Sequence, residues 1–156
     1  MTRRALVIVA STRAAAGEYE DRSGPILVNF LREQGFDTSE PVVVADADID
    51  SALATAFADA PSVILTSGGT GITPDDRTVE ELTPRLEREL PGLAHAFYAH
   101  STGIPTAALS RTVAGVSNTT FAMALPGSTG AAKDGCAVLK PVLNHIINQL
   151  EGINEH

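Results

Sequence analysis

The densest chemistry in the sequence lies in Thr66-Ser67-Gly68-Gly69-Thr70-Gly71, directly after the apolar stretch Val63-Ile64-Leu65. Three glycines in four positions let the backbone approach a ligand closely. They also permit positive φ, which turns successive N–H groups inward as an anion-binding nest. Ser67 and Thr70 add hydroxyl donors. The run fits neither common nucleotide fingerprint, G-x-x-x-x-G-K-[ST] or G-x-G-x-x-G. Its plain alternative is an ordinary strand-exit turn. Asp75-Asp76-Arg77-Thr78 follows, with Glu80 and Glu81. Carboxylates beside a phosphate nest suit Mg²⁺, which favours oxygen ligands and bridges to substrate phosphates. The alternative is acidic residues complementing a helix dipole.

Two further junctions carry polar groups. Leu125-Pro126-Gly127-Ser128-Thr129 joins an apolar run to a helical pattern, offering hydroxyls and helix N–H groups to an anion, or an ordinary N-cap. Asp46, with Asp48 and Asp50, stands at another strand-to-helix junction and reads as a ligand or as a capping group. His95 and His100 are five apart, unlike the i,i+4 pair of a helical zinc site, and His145 and His156 lie elsewhere. Cys136 falls on an apolar helical stripe and reads as a core residue. No G-x-S-x-G nucleophile elbow occurs.

The elements that must position these groups alternate. Ala5–Ser11 is a nearly continuous apolar run, as in a strand covered on both faces, and Thr12–Arg22 reads as a loop. Ser23-Gly24-Pro25 opens a helix with Ile26, Leu27, Phe30 and Leu31 on one stripe, ended at Gly35. Pro41–Val44 is a second strand, and Asp46 or Asp48 caps a helix bearing Ile49, Leu53, Ala56 and Phe57. Ser62–Thr66 is a third strand, and a helix starts near Thr78. Pro84 and Pro91-Gly92 interrupt the helical region that follows, up to Ser101. Ala107–Thr112 and Thr119–Leu125 read as further strands. Ala132, Cys136, Leu139, Leu143, Ile146 and Leu150 recur at spacings of 4, 3, 4, 3 and 4, a long helix that Pro141 bends or breaks. Such alternation predicts a single domain over 1–156 of three-layer α/β/α type, Rossmann-like and doubly wound around a mostly parallel sheet. Ligands of such folds bind beyond the C-terminal strand ends.

Composition narrows the function. The 156 residues carry 11 Lys+Arg against 19 Asp+Glu, a net charge of −8, which disfavours nucleic acid and anionic membrane surfaces as partners. A single cysteine excludes an intrachain disulfide framework. Met1-Thr2-Arg3-Arg4 and the apolar Ala5–Ala10 are too short for a signal peptide, and no apolar run approaches the ~20 residues of a membrane span. The expectation is a cytoplasmic protein with a core of Val, Leu, Ile and Ala, since 44% of residues are hydrophobic but only 4% aromatic.

In combination these segments resemble the molybdopterin-binding family, which includes the bacterial molybdopterin adenylyltransferases and the G domains of gephyrin and its plant counterpart. The resemblance rests on Ser67-Gly68-Gly69-Thr70-Gly71 followed by Pro74-Asp75-Asp76-Arg77-Thr78 and Glu80. Leu109-Ser110-Arg111, Pro126-Gly127-Ser128 and the stretch Gly17–Gly24 resemble three more family motifs. The resemblance implies a homotrimeric enzyme of molybdenum cofactor biosynthesis. Its reaction would transfer an adenylyl group from Mg-ATP to the terminal phosphate of molybdopterin, releasing pyrophosphate. Carried over by motif, Asp76 and Asp46 would be catalytic and hold Mg²⁺. Ser67, Gly68, Gly69, Thr70, Gly71, Ser110, Pro126, Gly127 and Ser128 would bind substrate and phosphate. A molybdenum-insertion protein would be a partner.

Two departures stand out. The family more often reads Arg-Asp-Val-Thr-Pro-Glu where this chain has Asp75-Asp76-Arg77-Thr78-Val79-Glu80, and Pro-Gly-Ser-Pro-Lys where it continues Thr129-Gly130-Ala131-Ala132-Lys133. Arg77 and Lys133 are therefore open as phosphate contacts. Two other functions remain in view: a non-catalytic molybdopterin-binding carrier, and a nucleotide-diphosphate phosphohydrolase on a related domain.

Overall fold

In a computed structural model that describes residues 2–153, seven strands form one sheet. They are β1 (Arg4–Ala10), β2 (Asp37–Thr38), β3 (Val42–Val44), β4 (Val63–Ser67), β5 (Arg88–Glu89), β6 (Val113–Ser117) and β7 (Thr120–Leu125). The helices are α1 (Thr12–Ala15), α2 (Ser23–Glu33), α3 (Ile49–Ala58), α4 (Thr78–Leu82), α5 (Pro91–His100), α6 (Thr129–Leu139) and α7 (Leu143–Leu150). The sheet runs β2-β1-β4-β7-β6-β5, and β3 joins β1 beside β2. Pairings among β1, β2, β3, β4 and β7 are parallel, whereas β6 is antiparallel to both β7 and β5.

Apolar runs rather than alternating ones build this sheet because both faces are covered. On one face Val63, Leu65, Phe121, Met123 and Leu125 pack with Leu27 and Leu31 of α2 and with Leu139 of α6. The intervening Ile64, Ala122 and Ala124 point to the other face, against Ile49 and Leu53 of α3 and Leu82 of α4. Leu65 is fully buried. Leu65→Ala is expected to lower the unfolding free energy by about 2–5 kcal/mol in urea titration, through lost burial and a residual cavity.

Several elements differ from the sequence reading. Thr12–Ala15 forms a short helix capped by Ser11, whose side chain accepts from the Ala14 N–H. Neither Asp46 nor Asp48 caps α3 through its carboxylate, because residues 46–48 form a 3₁₀ turn that leads directly into it. Pro91 opens α5, where a missing N–H costs nothing. Residues Pro105–Leu109 form a 3₁₀ turn, and the strand starts only at Val113. The signal there was weak because Gly115 interrupts the run; a side chain at that position would run into the Arg88 carbonyl of β5. Asn118, in the left-handed region at φ 51°, helps join β6 to β7 as a hairpin, which makes this end of the sheet antiparallel. Pro141 does break the last helix, into α6 and α7.

Candidate active site

The glycine run leaves β4 at the C-terminal edge of the parallel strands, where the topology places ligands. Gly68 and Gly69 both take left-handed φ, 95° and 73°. The Gly68 N–H donates to the Leu125 carbonyl at 2.9 Å, tying the loop to the end of β7. A Cβ on Gly68 would run into the Ala10 carbonyl of β1, and one on Gly69 into the Thr78 hydroxyl. That hydroxyl oxygen is fully buried and has no hydrogen-bond partner among the described residues. The loop thus packs directly onto the start of α4, and the Thr78 N–H donates to the Gly69 carbonyl at 3.1 Å.

Asp76 closes a tight turn on this loop. Its Oδ2 accepts from the Thr73 N–H at 3.1 Å and from the Thr73 hydroxyl at 2.8 Å. A Cβ on Gly71 would lie 2.6 Å from the same oxygen, so glycine there lets the carboxylate sit against the loop. Arg111 holds the arrangement from beyond the turn. Its Nε and Nη2 donate to the Gly71 carbonyl at 2.9 and 2.6 Å, Nη2 reaches the Asp76 carbonyl at 3.4 Å, and Nη1 meets Glu80 Oε2 at 2.6 Å. The Arg111 N–H also donates to the Thr70 carbonyl at 2.9 Å.

The charged hydrogen bond to Arg111 holds the Glu80 carboxyl below the usual range, and the same bond raises the guanidinium's pKa. Glu80 therefore favours the folded state above its unfolded pKa, and that contribution fades as the pH falls through its lowered folded value. Arg111→Ala is expected to loosen the turn more than Glu80→Gln does. The check is hydrogen exchange at Gly71 and Asp76, which should quicken in both variants and more in the first.

Around the loop lies an open cleft of about 460 Å³. It brings together Gly68, Gly69, Thr70, Gly71, Asp76, Ser110, Pro126 and Gly127, from three separate segments of the sequence. Thr70 and Ser110 share a hydroxyl–hydroxyl bond of 3.1 Å, and the Tyr98 hydroxyl fixes the Ser110 segment by donating to its carbonyl at 2.6 Å. Ile72 and Leu109 border the cleft and are 72% and 57% exposed, apolar surface of the kind a ligand covers.

Three residues singled out from the sequence do not line this cleft. Ser67 is fully buried beneath it and shares a 2.7 Å hydroxyl bond with Ser23, which anchors the loop after β1 to the glycine run. Ser128 caps α6, accepting from the Ala131 N–H at 3.0 Å, and lines a smaller pouch next door. Asp46 stands at the end of β3, two strands from β4 at the same sheet edge, and accepts from the Thr12 hydroxyl at 3.0 Å.

Among the described residues, no lysine or arginine lines the cleft. Arg77 turns to Glu81 at 3.0 Å, and Lys133 lies in a groove between α2 and α6 with Cys136. Burial pushes the Cys136 thiol up to about 11, the behaviour of an inert packed residue. The described residues contain no group of three His, Cys, Asp or Glu side chains able to hold a metal, and His156 lies outside them. A larger cavity of about 690 Å³ lies against β3 and α3, but its lining is mostly apolar and none of the glycine-loop residues reaches it. Sequence reasoning passed over Tyr98, Arg111 and Thr73 as functional groups. Only Arg111 carried a signal, from its place beside Ser110.

Residues 6–145 match the family model described as "Probable molybdopterin binding domain". The chain is 38% identical over 151 residues to the "Molybdenum cofactor biosynthesis bifunctional protein" of Synechococcus elongatus, covering 95% of this chain and 47% of that protein. The chain therefore spans about half the length of such bifunctional relatives. It is 34% identical over 149 residues to the "Molybdopterin adenylyltransferase" of Pyrococcus furiosus, covering 90% of this chain and 87% of that one. Among solved structures, the molybdopterin biosynthesis Mog protein from Mycobacterium ulcerans superposes with a TM-score of 0.91 at 42% identity, over 97% of this chain and 99% of that chain.

Proposed function

Because the chain belongs to the family of molybdopterin-binding domains, we propose that it acts in molybdenum cofactor biosynthesis as a molybdopterin adenylyltransferase. The observation that carries this reading is the convergence of the glycine loop, Asp76, Ser110 and Pro126-Gly127 on one cleft. In the reaction a terminal phosphate oxygen of molybdopterin attacks the α-phosphorus of ATP. The bond from that phosphorus to the bridging oxygen breaks, and pyrophosphate leaves. A phosphate oxygen is already nucleophilic at neutral pH, so the protein needs no strong general base. Its work is positioning and charge stabilisation.

The glycine loop supplies backbone N–H groups to the phosphate oxygens, where charge develops in the transition state. The N-terminus of α6, entered through Pro126-Gly127-Ser128, adds a partial positive charge near the same place. Thr70 and Ser110 offer hydroxyl donors. Ile72 and Leu109 offer apolar surface to a planar ring, adenine or pterin.

Mg²⁺ fits this donor set as a substrate-completed ion. Among the described residues a single carboxylate, Asp76, lines the cleft, and Mg²⁺ is commonly held by one or two carboxylates plus phosphate oxygens. When bound, the ion would offset part of the negative charge on the two phosphate groups that must meet. Asp76 holds it in this reading, and Asp46 is the second carboxylate at the sheet edge.

The want of a cationic side chain in the cleft among the described residues favours one competing reading, a carrier that binds molybdopterin without turnover. A pyrophosphate-release assay with molybdopterin and Mg-ATP separates the two. Release that requires molybdopterin supports the transferase. Tight molybdopterin binding without release supports the carrier, and release of inorganic phosphate without molybdopterin supports a hydrolase. In the transferase reading the protein is a homotrimer that hands its product to a molybdenum-insertion protein; sedimentation equilibrium tests the trimer.

A further inference from the structure

Ala10, at the end of β1, pairs with Val44 on β3, and its carbonyl lies against Gly68 of the glycine loop. Thr12 stands two residues beyond Ala10, and Asp46 two beyond Val44. The Ser11 N–H donates to the Val44 carbonyl at 2.9 Å, which carries the pairing past the strand ends and brings Thr12 to Asp46. The Ser11 hydroxyl accepts from the Ala14 N–H at 3.2 Å, so Thr12 opens a capped turn and is itself held in place. Its hydroxyl then meets Asp46 twice. The oxygen accepts from the Asp46 N–H at 3.1 Å, and the proton goes to Asp46 Oδ2 at 3.0 Å.

The three acids of this junction have different surroundings. Asp50 pairs with Arg85 at 2.8 Å. Asp48 lines the mostly apolar cavity against β3 and α3. Among the described residues, no cation pairs with Asp46 and its Oδ1 accepts no hydrogen bond. A threonine hydroxyl has one proton to donate, and here Oδ2 takes it. That bond holds the carboxylate in one orientation but leaves its charge intact, whereas an arginine partner would offset the charge. An oriented anionic carboxylate with one open oxygen suits a divalent cation that phosphate oxygens also hold. Partners that orient a ligating group in this way typically alter cation affinity by roughly 10- to 100-fold.

We propose that Thr12 is a positioning residue for Asp46, holding Oδ2 so that Oδ1 is left open to the divalent cation that accompanies the substrate phosphates. This rests on the transferase reading above and extends it to the loop after β1, which otherwise takes no part in it.

The test uses Mn²⁺ as the probe and the full chain saturated with α,β-methylene-ATP, which cannot release pyrophosphate. Free Mn²⁺ is read by electron paramagnetic resonance, so no turnover is needed. Thr12→Val keeps the shape of the side chain and removes the hydroxyl. It is expected to weaken Mn²⁺ binding about 10-fold. Thr12→Ser keeps the hydroxyl and should stay within about 3-fold of the wild type. Hydrogen exchange at the Asp46 N–H should quicken in the valine variant and not in the serine variant. In the transfer assay Thr12→Val should lower kcat and leave the KM for molybdopterin unchanged.

A positioning residue acts only through its target. Asp46→Asn alone is expected to weaken Mn²⁺ binding at least as much as Thr12→Val does, and adding Thr12→Val to it should cost no more than about 2-fold further. Losses that multiply in the double variant overturn the proposal. So does wild-type Mn²⁺ affinity in either Thr12→Val or Asp46→Asn, and so does a serine variant as weak as the valine one. Should Thr12→Val fail to fold, Thr12→Ala carries the same comparison at this exposed position. Failure of the transferase reading shows separately, as a wild type that binds Mn²⁺ with this pattern but releases no pyrophosphate when molybdopterin is supplied.

Discussion

Asp76→Asn is expected to fold as the wild type does and to lose adenylyl transfer by about 10²–10³-fold in kcat/KM, the scale on which one preorganised charge-stabilising group acts. The substitution isolates charge from structure. An asparagine oxygen can still accept both bonds from Thr73, the N–H and the hydroxyl, so the turn that carries the residue survives. Arg111 grips the backbone carbonyls of Gly71 and Asp76, not the carboxylate, so that clamp is also untouched. What disappears is the negative charge on the one carboxylate that lines the cleft among the described residues. Its loss should also shift the Mg²⁺ dependence to higher concentration, because phosphate oxygens would then hold the ion without the protein. Asp76→Ala removes the Thr73 bonds too and should be less stable. Unchanged turnover in Asp76→Asn, measured by pyrophosphate release over a Mg²⁺ series, would remove Asp76 from the chemistry.

Gly68→Ala is expected to cost about 2–4 kcal/mol of stability and to abolish phosphate binding with it. Two independent penalties add there. The residue sits at φ 95°, where an L side chain is strained, and its Cβ would enter the Ala10 carbonyl of β1. The obstacle is strand backbone, paired with β4 in the middle of the sheet, so it cannot move aside as a flexible side chain would. Relief requires the loop to shift, and with it the Gly68 N–H bond to Leu125 and the loop residues that line the cleft. Urea unfolding reads the stability loss, and calorimetric titration with pyrophosphate reads the binding. Gly17→Ala is the contrast: its φ is 76° but a Cβ there meets nothing within 4 Å, so only the conformational cost applies.

These two positions were legible in the sequence for a physical reason. A glycine run at the end of a buried apolar strand has few uses, and an acidic pair five residues later narrows them further. The parallel strands β1, β4 and β7 were equally plain, since each is a continuous apolar run buried on both faces. The other end of the sheet was not. In β6 a glycine and a terminal serine dilute the pattern, and the two-residue β5 is too short to carry one. The apolar triplet Ala107-Ala108-Leu109 drew the strand assignment instead, although Pro105 starts a 3₁₀ turn there. Asp46 looked like a cap from spacing alone, yet its carboxylate accepts from Thr12, a partner 34 residues away. The Arg111 clamp and the Ser101–Asp134 contact are likewise made across 40 and 33 residues, distances at which local pattern carries no information.

The most direct measurement of the central claim follows the α-phosphate. Wild-type protein is incubated with molybdopterin, Mg²⁺ and ATP labelled at the α-phosphorus, and the products are separated. The account predicts that the label moves to molybdopterin in step with release of unlabelled pyrophosphate, and that Asp76→Asn suppresses both together. Label that stays in ATP while molybdopterin binds tightly, or that appears only in AMP or ADP, would contradict it.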